Sequence, residues 1–250
     1  MEERKTLISI IVAVYNGGKT IRATLESIKR QRYKYWECLI IDGDSKDNTL
    51  HIANQFALED NRFKVFSEPD QGVFDAFNKG WKRAKGEWIY YLGADDELLE
   101  DGLLSLANGI DETCGIIYGG IVRKYRSGKI KESPAGDWTE TMPFNLPCSH
   151  QGMIMKKELI NSLGGFDLKY SLLADYDLIN HAFHKRISTK RIDEPIAIFS
   201  LGGMSTDNIR SLWQRYLILR KYHAPYIHTL SHIIFMTAFF ALLKIKHRFN

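Results

Sequence analysis

Short apolar runs alternate with helix-patterned segments through the first hundred residues of this 250-residue chain. The runs are rich in β-branched and aromatic residues, and they predict strands at residues 7–14, 36–42, 63–66 and 88–92. Between them, apolar residues recur at helical spacing, as in Ile21, Leu25 and Ile28. Strands and helices that alternate in this way predict an α/β fold, with a mostly parallel sheet flanked by helices.

The second half of the chain has a different pattern. The strings CGIIYGGIVRKY and GKIKE predict two strands joined at Ser127-Gly128, and a third strand is expected at about 195–199. Helical patterns occur at about 156–163 and 174–185, and again from Ile209 onward. We therefore expect one domain over residues 1–205, with halves 1–100 and 101–205, and a helical extension over residues 206–250.

Composition and charge exclude several classes of protein. The 34 basic and 30 acidic residues give a net charge of +4, and no continuous basic and aromatic stripe points to nucleic acid. Three widely spaced cysteines argue against a disulfide framework or a zinc site and favour a reducing, cytoplasmic compartment. The apolar run near the N-terminus is short and lacks a cleavage site, so it predicts a strand rather than a signal peptide.

Polar and acidic residues follow the ends of the four predicted strands. In open α/β sheets, ligands bind beyond the carboxyl ends of the strands. The candidate ligand contacts are Tyr15-Asn16, Asp42-Gly43-Asp44, Glu68-Pro69-Asp70 and Ala94-Asp95-Asp96. Asp75 and Asn78 lie one helical turn apart on a shared face and are further candidates.

The adjacent carboxylates of Asp95 and Asp96 are the sharpest chemical signal. Like charges side by side are costly unless a cation or water neutralises them. Mg²⁺ or Mn²⁺ suits such oxygen ligands and typically completes its shell with substrate phosphates. The alternative is a helix N-terminus, where acidic residues are favoured in any case. The chain has neither a GxGxxG dinucleotide fingerprint nor a GxxxxGK[ST] phosphate loop.

Five spaced blocks together resemble family 2 of the inverting glycosyltransferases, which have the GT-A fold and include many bacterial enzymes of polysaccharide assembly. The blocks are SIIVAVYNGGKTIRATLESI, ECLIIDGDSKDNT, SEPDQGVFDAFNKGWKRAKGEWIYYLGADD, CSHQGMIMKKELINSLGGFD and LLADYDL. They occur in the family's order from about residue 7 to about residue 180.

The resemblance implies a role for each matching position. For the nucleotide it implies Tyr15 and Asn16 in the pocket, Asp42 on the base and Asp44 beside the nucleoside. For the donor sugar and diphosphate it implies Asp95 near the ribose or sugar, Asp96 as direct ligand of Mn²⁺ or Mg²⁺, and His150 near the diphosphate or acceptor. Asp70, Asp75 and Asn78 are expected to contact the nucleotide or sugar. Asp175 matches the catalytic base.

Two positions depart from the family's usual pattern. Gly93 stands where another Asp is common, and Ala174 stands where a Glu often precedes the base. Neither change removes an essential carboxylate. Asp177 lies two residues after Asp175, and because positions i and i+2 do not share a helix face, only one of them should point into the cleft.

The expected function is transfer of a sugar with inversion from a nucleoside-diphosphate sugar, a UDP-sugar, to a hydroxyl. The acceptor would be a glycan or lipid-linked saccharide in cell-surface polysaccharide synthesis, with the acceptor side built from residues 134–205. One alternative is a sugar nucleotidyltransferase, and another is a catalytically silent protein that binds nucleotide sugars. Release of pyrophosphate rather than of a nucleoside diphosphate would distinguish the first alternative.

Two segments near the C-terminus carry further expectations. Residues 227–243 are apolar and are followed by basic residues, a pattern that predicts a helix lying on the inner surface of the cytoplasmic membrane through residues 227–248. The alternative is a helix docked on the protein's own core or on a dimer interface. Gly202-Gly203 in the loop 202–205 would allow a hinge over bound donor, or form an ordinary turn.

Overall fold

A computed structural model describes residues 6–138, 144, 146–201, 209–223, 231 and 234. The predicted strands and helices of the first hundred residues are present, and the four strands run parallel. They are β1 (Ile8–Val14), α1 (Ile21–Lys29), β2 (Trp36–Asp42), α2 (Thr49–Glu59), β3 (Phe63–Ser67), α3 (Val73–Arg83) and β4 (Trp88–Gly93). Every residue of β1 and β2 is buried, as expected for strands covered on both faces.

The rest of the described chain adds five strands and four helices. They are β5 (Glu97–Leu98), α4 (Gly102–Gly109), β6 (Ile116–Lys124), β7 (Ile130–Ser133), a 3₁₀ turn (His150–Gly152), β8 (Met153–Lys156), α5 (Lys157–Leu163), α6 (Ala174–His184), β9 (Thr189–Ser200) and α7 (Ile209–Lys221).

One sheet contains all of these strands in the order β3-β2-β1-β4-β8-β6-β9-β5, with β7 paired to β6. Strand β8 is antiparallel to both β4 and β6, so those two strands run in the same direction. Strand β9 is parallel to β6. The carboxyl ends of β1, β2, β4, β6 and β9 therefore meet at one edge of the sheet, which we call the C-edge.

Two hydrophobic clusters cover the two faces of the sheet. One face packs against α3, α5 and α6, and the other packs against α1, α2 and α4. Residues of β1 alternate between the clusters, with Ile11 in the first and Ile10 and Val12 in the second. The mostly parallel, helix-flanked sheet predicted from the sequence is confirmed.

Strand β9 is longer than the predicted strand at 195–199, since it begins at Thr189. Its first half is mostly charged and exposed, so no apolar pattern marks it, and it is held by backbone pairing to β6. The register of that pairing shifts near Gly119. A Cβ built on Gly119 would lie 2.5 Å from the carbonyl oxygen of Glu194, which explains why glycine is required at this close approach.

Helix α7 lies within the predicted C-terminal extension and packs onto the α/β core. Ile218 and Leu219 on this helix are fully buried, and Ile218 belongs to the cluster formed with α3, α5 and α6. No helix among the described residues is long and apolar enough to cross a membrane. The proposed hinge at 202–205 and, apart from residues 231 and 234, the predicted membrane-surface segment 227–248 lie outside the described residues.

Candidate active site

The loops that follow β1 and β2 are locked together at the C-edge. Asn16 has a left-handed backbone conformation (φ 49°), and its N–H donates to Oγ of Ser45 at 2.8 Å. The N–H of Lys46 donates in turn to Oδ1 of Asn16 at 2.8 Å. These bonds fix the turn that leaves the ring of Tyr15 exposed at the edge of the sheet.

Asp42 ends β2 and is fully buried. Its Oδ2 accepts hydrogen bonds from the N–H of Ser45 at 3.0 Å and from the hydroxyl of Ser67 at 2.7 Å. Its Oδ1 has no hydrogen-bond partner among the described residues. A buried carboxylate oxygen without a hydrogen-bond donor destabilises the folded protein. Oδ1 of Asp42 can therefore accept a hydrogen bond from one further donor.

Asp70 and Asp44 lie close to the same loops. Oδ1 of Asp70 accepts the N–H of Gly72 at 2.8 Å. A Cβ built on Gly43 would lie 2.5 Å from Oδ2 of Asp70, so glycine at 43 lets this carboxylate lie against the backbone. Asp44 has a φ of 67° and pairs with Nζ of Lys46 at 2.6 Å.

Asp75 and Asn78 on α3 have different surroundings. Oδ2 of Asp75 accepts the N–H of Gln71 at 3.0 Å, near the C-edge loops. The Asn78 amide donates to the carbonyl of Phe166 at 2.8 Å and accepts the N–H of the same residue at 2.9 Å. Its oxygen also accepts Nε1 of Trp81 at 3.0 Å. These contacts account for Asn78 without a ligand.

The two adjacent aspartates after β4 have opposite environments. Asp95 is exposed, whereas the side chain and backbone of Asp96 are only 2% exposed. Oδ2 of Asp96 accepts the amide of Gln151 at 3.0 Å, and Oδ1 accepts the N–H of Ser200 at 2.9 Å. Protein donors therefore occupy both oxygens of Asp96.

Burial raises the pKa of Asp96 to about 6. The nearby negative charge of Asp95 raises it further, whereas the hydrogen bonds from Ser200 and Gln151 oppose the shift. Asp96 is thus charged at neutral pH in a site that disfavours the charge.

Gly93 leaves room beside both aspartates. A Cβ at this position would lie 2.9 Å from Oδ2 of Asp96 and 3.0 Å from Oδ1 of Asp95. Glycine at 93 therefore lets both carboxylates lie close to the backbone of β4. Among the described residues, no group of three His, Cys, Asp or Glu side chains is arranged to hold a metal ion.

Asp175 lies in the first turn of α6 and contacts the turn that precedes β8. Its Oδ2 is 2.9 Å from Nδ1 of His150, and its Oδ1 accepts the N–H of Tyr176 at 2.8 Å. The side chains of His150 and Asp175 are 19% and 22% exposed. Both groups are therefore held in place yet accessible from solvent.

The 3₁₀ turn connects this aspartate to the one after β4. His150 contacts Asp175, and its neighbour Gln151 contacts Asp96. The hydroxyl of Tyr90 donates to the carbonyl of Gln151 at 2.6 Å and anchors the turn to β4. The sequence marks His150-Gln151 as a pair, but the contact of Gln151 with Asp96 was not predicted from it.

Asp177 points away from this turn. Its side chain is 5% exposed, and both oxygens lie 2.9 Å from Nζ of Lys221 on α7. The hydroxyl of Tyr222 donates to its carbonyl at 3.2 Å. Of the two aspartates on α6, Asp175 contacts His150 and Asp177 holds α7 in place.

The family profile and the relatives that match this chain indicate the same family. The sequence profile described as "Glycosyl transferase family 2" matches residues 9–164. A PGL/p-HBAD biosynthesis glycosyltransferase of Mycobacterium bovis (strain BCG / Pasteur 1173P2) is 34% identical over 205 residues, which cover 80% of this chain and 79% of the relative.

Solved structures share the fold at lower sequence identity. The crystal structure of S. aureus TarS 1-349 has a TM-score of 0.66 and 20% identity, over 86% of this chain and 64% of that chain. TarS in complex with UDP-GlcNAc gives a TM-score of 0.65 and 20% identity, over 86% and 65%. The mannosyltransferase PcManGT of Pyrobaculum calidifontis, in complex with GDP-Man and Mn²⁺, gives 0.64 and 16%, over 90% and 69%. This chain thus spans slightly less than two thirds of these two TarS chains.

Proposed function

The chain belongs to glycosyl transferase family 2 and has the GT-A fold, and we propose that it is an inverting glycosyltransferase that uses a UDP-sugar. The acceptor is a hydroxyl of a glycan or lipid-linked saccharide in cell-surface polysaccharide synthesis. The Mycobacterium bovis relative, an enzyme of PGL/p-HBAD biosynthesis, supports the class of acceptor. The crystal structure of TarS with UDP-GlcNAc supports the class of donor.

The observation that carries the proposal is the link between Asp175 and Asp96 through adjacent residues of one turn. Inversion requires that the acceptor hydroxyl attack from the face opposite the diphosphate while a base removes its proton. In this proposal Asp175 is that base. Asp175 is accessible and is linked to Asp96 through His150 and Gln151.

His150 orients the base. An imidazole with a proton on Nδ1 donates to Oδ2 of Asp175 at 2.9 Å, while the N–H of Tyr176 holds Oδ1. Two donors at fixed positions leave the outward lone pairs of the carboxylate for the acceptor hydroxyl. A carboxylate held in this way loses little rotational freedom when it meets the substrate.

In this proposal Asp42 recognises the nucleobase through a hydrogen bond. The free Oδ1 of Asp42 is buried beside the loop that carries Asp44, and the imide N–H of uracil would supply the missing donor. Tyr15 is exposed at the same loops and offers a ring for stacking on the base. Asn16, Asp70 and Asp75 lie at the neighbouring strand ends and complete the donor side.

The residues that follow β4 are suited to bind a divalent metal ion together with the phosphates of the donor. Asp95 presents an exposed carboxylate with no protein partner among the described residues, and Gly93 leaves space beside it. Mg²⁺ and Mn²⁺ are commonly held by one or two carboxylates together with substrate phosphates. When bound, the ion would neutralise the charge that develops on the leaving diphosphate.

The metal ligand is proposed to be Asp95 rather than Asp96. Both oxygens of Asp96 already accept hydrogen bonds from Gln151 and Ser200, so direct coordination would displace one of them. The prediction of Asp96 as direct ligand stays a prediction. In our proposal Asp96 holds the loop that presents Asp95 to the ion.

The proposal is tested by incubating the protein with UDP-sugars and Mn²⁺, with water or a simple glycoside as acceptor, and measuring the nucleotide released. Thermal unfolding with UDP, CDP, GDP and their sugar conjugates, with and without Mn²⁺, identifies the donor, because a ligand that binds only the folded form raises the unfolding temperature. Release of UDP with an inverted product supports the proposal. Release of pyrophosphate from UTP and a sugar phosphate, or a retained anomeric configuration, would overturn it.

A further inference from the structure

Strands β6 and β7 form a hairpin at the C-edge of the sheet. The turn is closed by the N–H of Tyr125, which donates to the carbonyl of Lys129 at 2.8 Å, and by the N–H of Gly128, which donates to the carbonyl of Tyr125 at 2.9 Å. All residues from Arg123 to Glu132 are exposed. The hairpin therefore extends from the sheet into solvent.

One face of the hairpin carries only positive charge. Arg123 lies directly opposite Lys131 in the register, and directly opposed residues share a face of the ladder. By the alternation of strand side chains, Tyr125 and Lys129 continue that face toward the turn. We call Arg123, Tyr125, Lys129 and Lys131 the cationic face.

The charges on the cationic face have no partner carboxylate among the described residues. Within the part of the chain that the structure describes, no carboxylate pairs with Arg123, Lys129 or Lys131. Like charges directly opposite each other across a ladder are destabilising. On the other face, Lys124 pairs with Glu97 at 3.6 Å and Glu132 lies opposite Val122.

Protection of an exposed sheet edge explains only part of this pattern. A lysine such as Lys131 on the edge strand β7 discourages pairing with other chains. Arg123, however, lies on β6, which is paired on both sides by β7 and β9. Edge protection also does not explain why Tyr125 (37%) and Ile130 (64%) are left exposed beside the turn.

The hairpin lies at the same edge as the candidate active site. Lys124 is in register with Ser200, whose N–H donates to Asp96. The turn begins one residue beyond Lys124, so the tip projects about 10 Å past the level of the aspartates. A surface that contacts the hairpin would therefore lie beyond the same edge of the sheet as the candidate active site.

We propose that the cationic face binds the surface of an anionic lipid bilayer. The three cations lie along an exposed strand pair rather than converging on a pocket, which suits an array of phosphate headgroups better than a single phosphate. Tyr125 on the cationic face and Ile130, on the other face beside the turn, suit the boundary between headgroups and acyl chains. This inference goes beyond the proposed function and does not depend on it.

The test measures binding of the full chain to vesicles without donor or acceptor. Vesicles of phosphatidylcholine alone are compared with vesicles that contain phosphatidylglycerol, at low and high salt. The hairpin variant combines Arg123→Thr, Lys129→Thr and Lys131→Thr. The matched control combines Lys34→Thr, Lys85→Thr and Lys185→Thr, three exposed positions that precede β2, β4 and β9 at the opposite edge of the sheet.

We expect the wild-type chain to bind only the anionic vesicles and to be released by salt. The hairpin variant should lose on the order of a hundredfold in partition coefficient, while the control should change by less than about threefold. Thermal unfolding of each variant confirms that it is folded. Equal losses in both variants, or an unchanged hairpin variant, would overturn the proposal. Binding of soluble polyphosphate but not of vesicles would likewise overturn it.

Discussion

Nδ1 of His150 lies 2.9 Å from Oδ2 of Asp175, across a turn whose next residue, Gln151, donates to Asp96 at 3.0 Å. The two carboxylates therefore have separate partners on one short segment. The carboxylate of Asp175 is accessible to solvent and that of Asp96 is buried, although both lie near the same edge of the sheet. This difference leads to distinct predictions for each.

Replacing Asp175 by Asn should abolish sugar transfer while nucleotide binding persists. The amide cannot accept the proton of the acceptor hydroxyl, so we expect turnover to fall by on the order of a thousandfold. The affinity for UDP, measured by calorimetry, should change by less than about twofold because the base does not hold the nucleotide. Asp193→Asn, at a 93% exposed side chain, is the isosteric control. Full turnover in the Asp175 variant would exclude it as the base.

Replacing His150 by Ala should lower kcat without a comparable change in KM for the donor. The loss reflects a base that is no longer oriented, and we expect it to be about ten- to hundredfold. His150→Asn can place an amide N–H near the former Nδ1 and should recover part of the rate. A rise in KM alone, or an Asn variant no better than Ala, would show that His150 acts through substrate binding or bulk instead.

Replacing Asp96 by Asn should raise the free energy of unfolding, relative to the wild-type protein, more at high pH than at low pH. The folded-state pKa of about 6 exceeds the ordinary value of 3.8 for an aspartate, so the wild-type protein loses stability as the pH rises between these values. The Asn variant lacks that penalty, and its free energy of unfolding relative to wild type should rise by about 2 kcal/mol between pH 4 and pH 8. Urea unfolding at several pH values measures the difference. A pH-independent difference would contradict the raised pKa.

Replacing Asp42 by Asn should change which nucleobase is preferred. The N–H of Ser45 and the hydroxyl of Ser67 require an acceptor at the Oδ2 position, so the amide group of Asn would occupy the free Oδ1 position. It would then oppose the N–H of uracil and match the ring-nitrogen acceptor of cytosine. We expect UDP to bind at least about tenfold more weakly while CDP does not weaken, as measured by thermal shift. Equal weakening of both nucleotides would argue against a contact with the base.

Replacing Lys221 by Met should destabilise the protein through Asp177. The change leaves a carboxylate that is 5% exposed without its partner, at a cost of about 3 kcal/mol. The double variant Asp177→Asn with Lys221→Met should recover most of that loss, as measured by urea unfolding. Turnover per folded molecule should remain within about threefold in the double variant, since neither residue touches the reacting groups. Additive losses would mean that the pair is not coupled.

The sequence predicted the strands that position the site because those strands are buried on both faces. Strands β1, β2 and β4 are continuous apolar runs, and their ends identify Asp42, Asp95 and Asp96 directly. Strand β9 was predicted only in its last part because its first residues are charged and pair through the backbone alone.

The environment of each carboxylate could not be predicted in the same way. Periodicity cannot distinguish Asp95 from Asp96, since the difference comes from Gln151 and Ser200, which are 55 and 104 residues away from Asp96 along the chain. Similarly, the separate partners of Asp175 and Asp177 depend on His150 and on α7. Helix spacing predicted that the two aspartates would point apart, but not what each would contact.

The turn at residues 150–152 also restricts how the length of this chain can vary. Residues added before His150 lengthen the segment that enters the turn and can change what surrounds an acceptor. A residue inserted between His150 and Gln151 would instead displace one side chain by about 3.8 Å, which exceeds the length of a hydrogen bond. Only one of the two aspartates could then keep its partner, so insertions that alter substrate specificity are expected before His150 and not between His150 and Gln151.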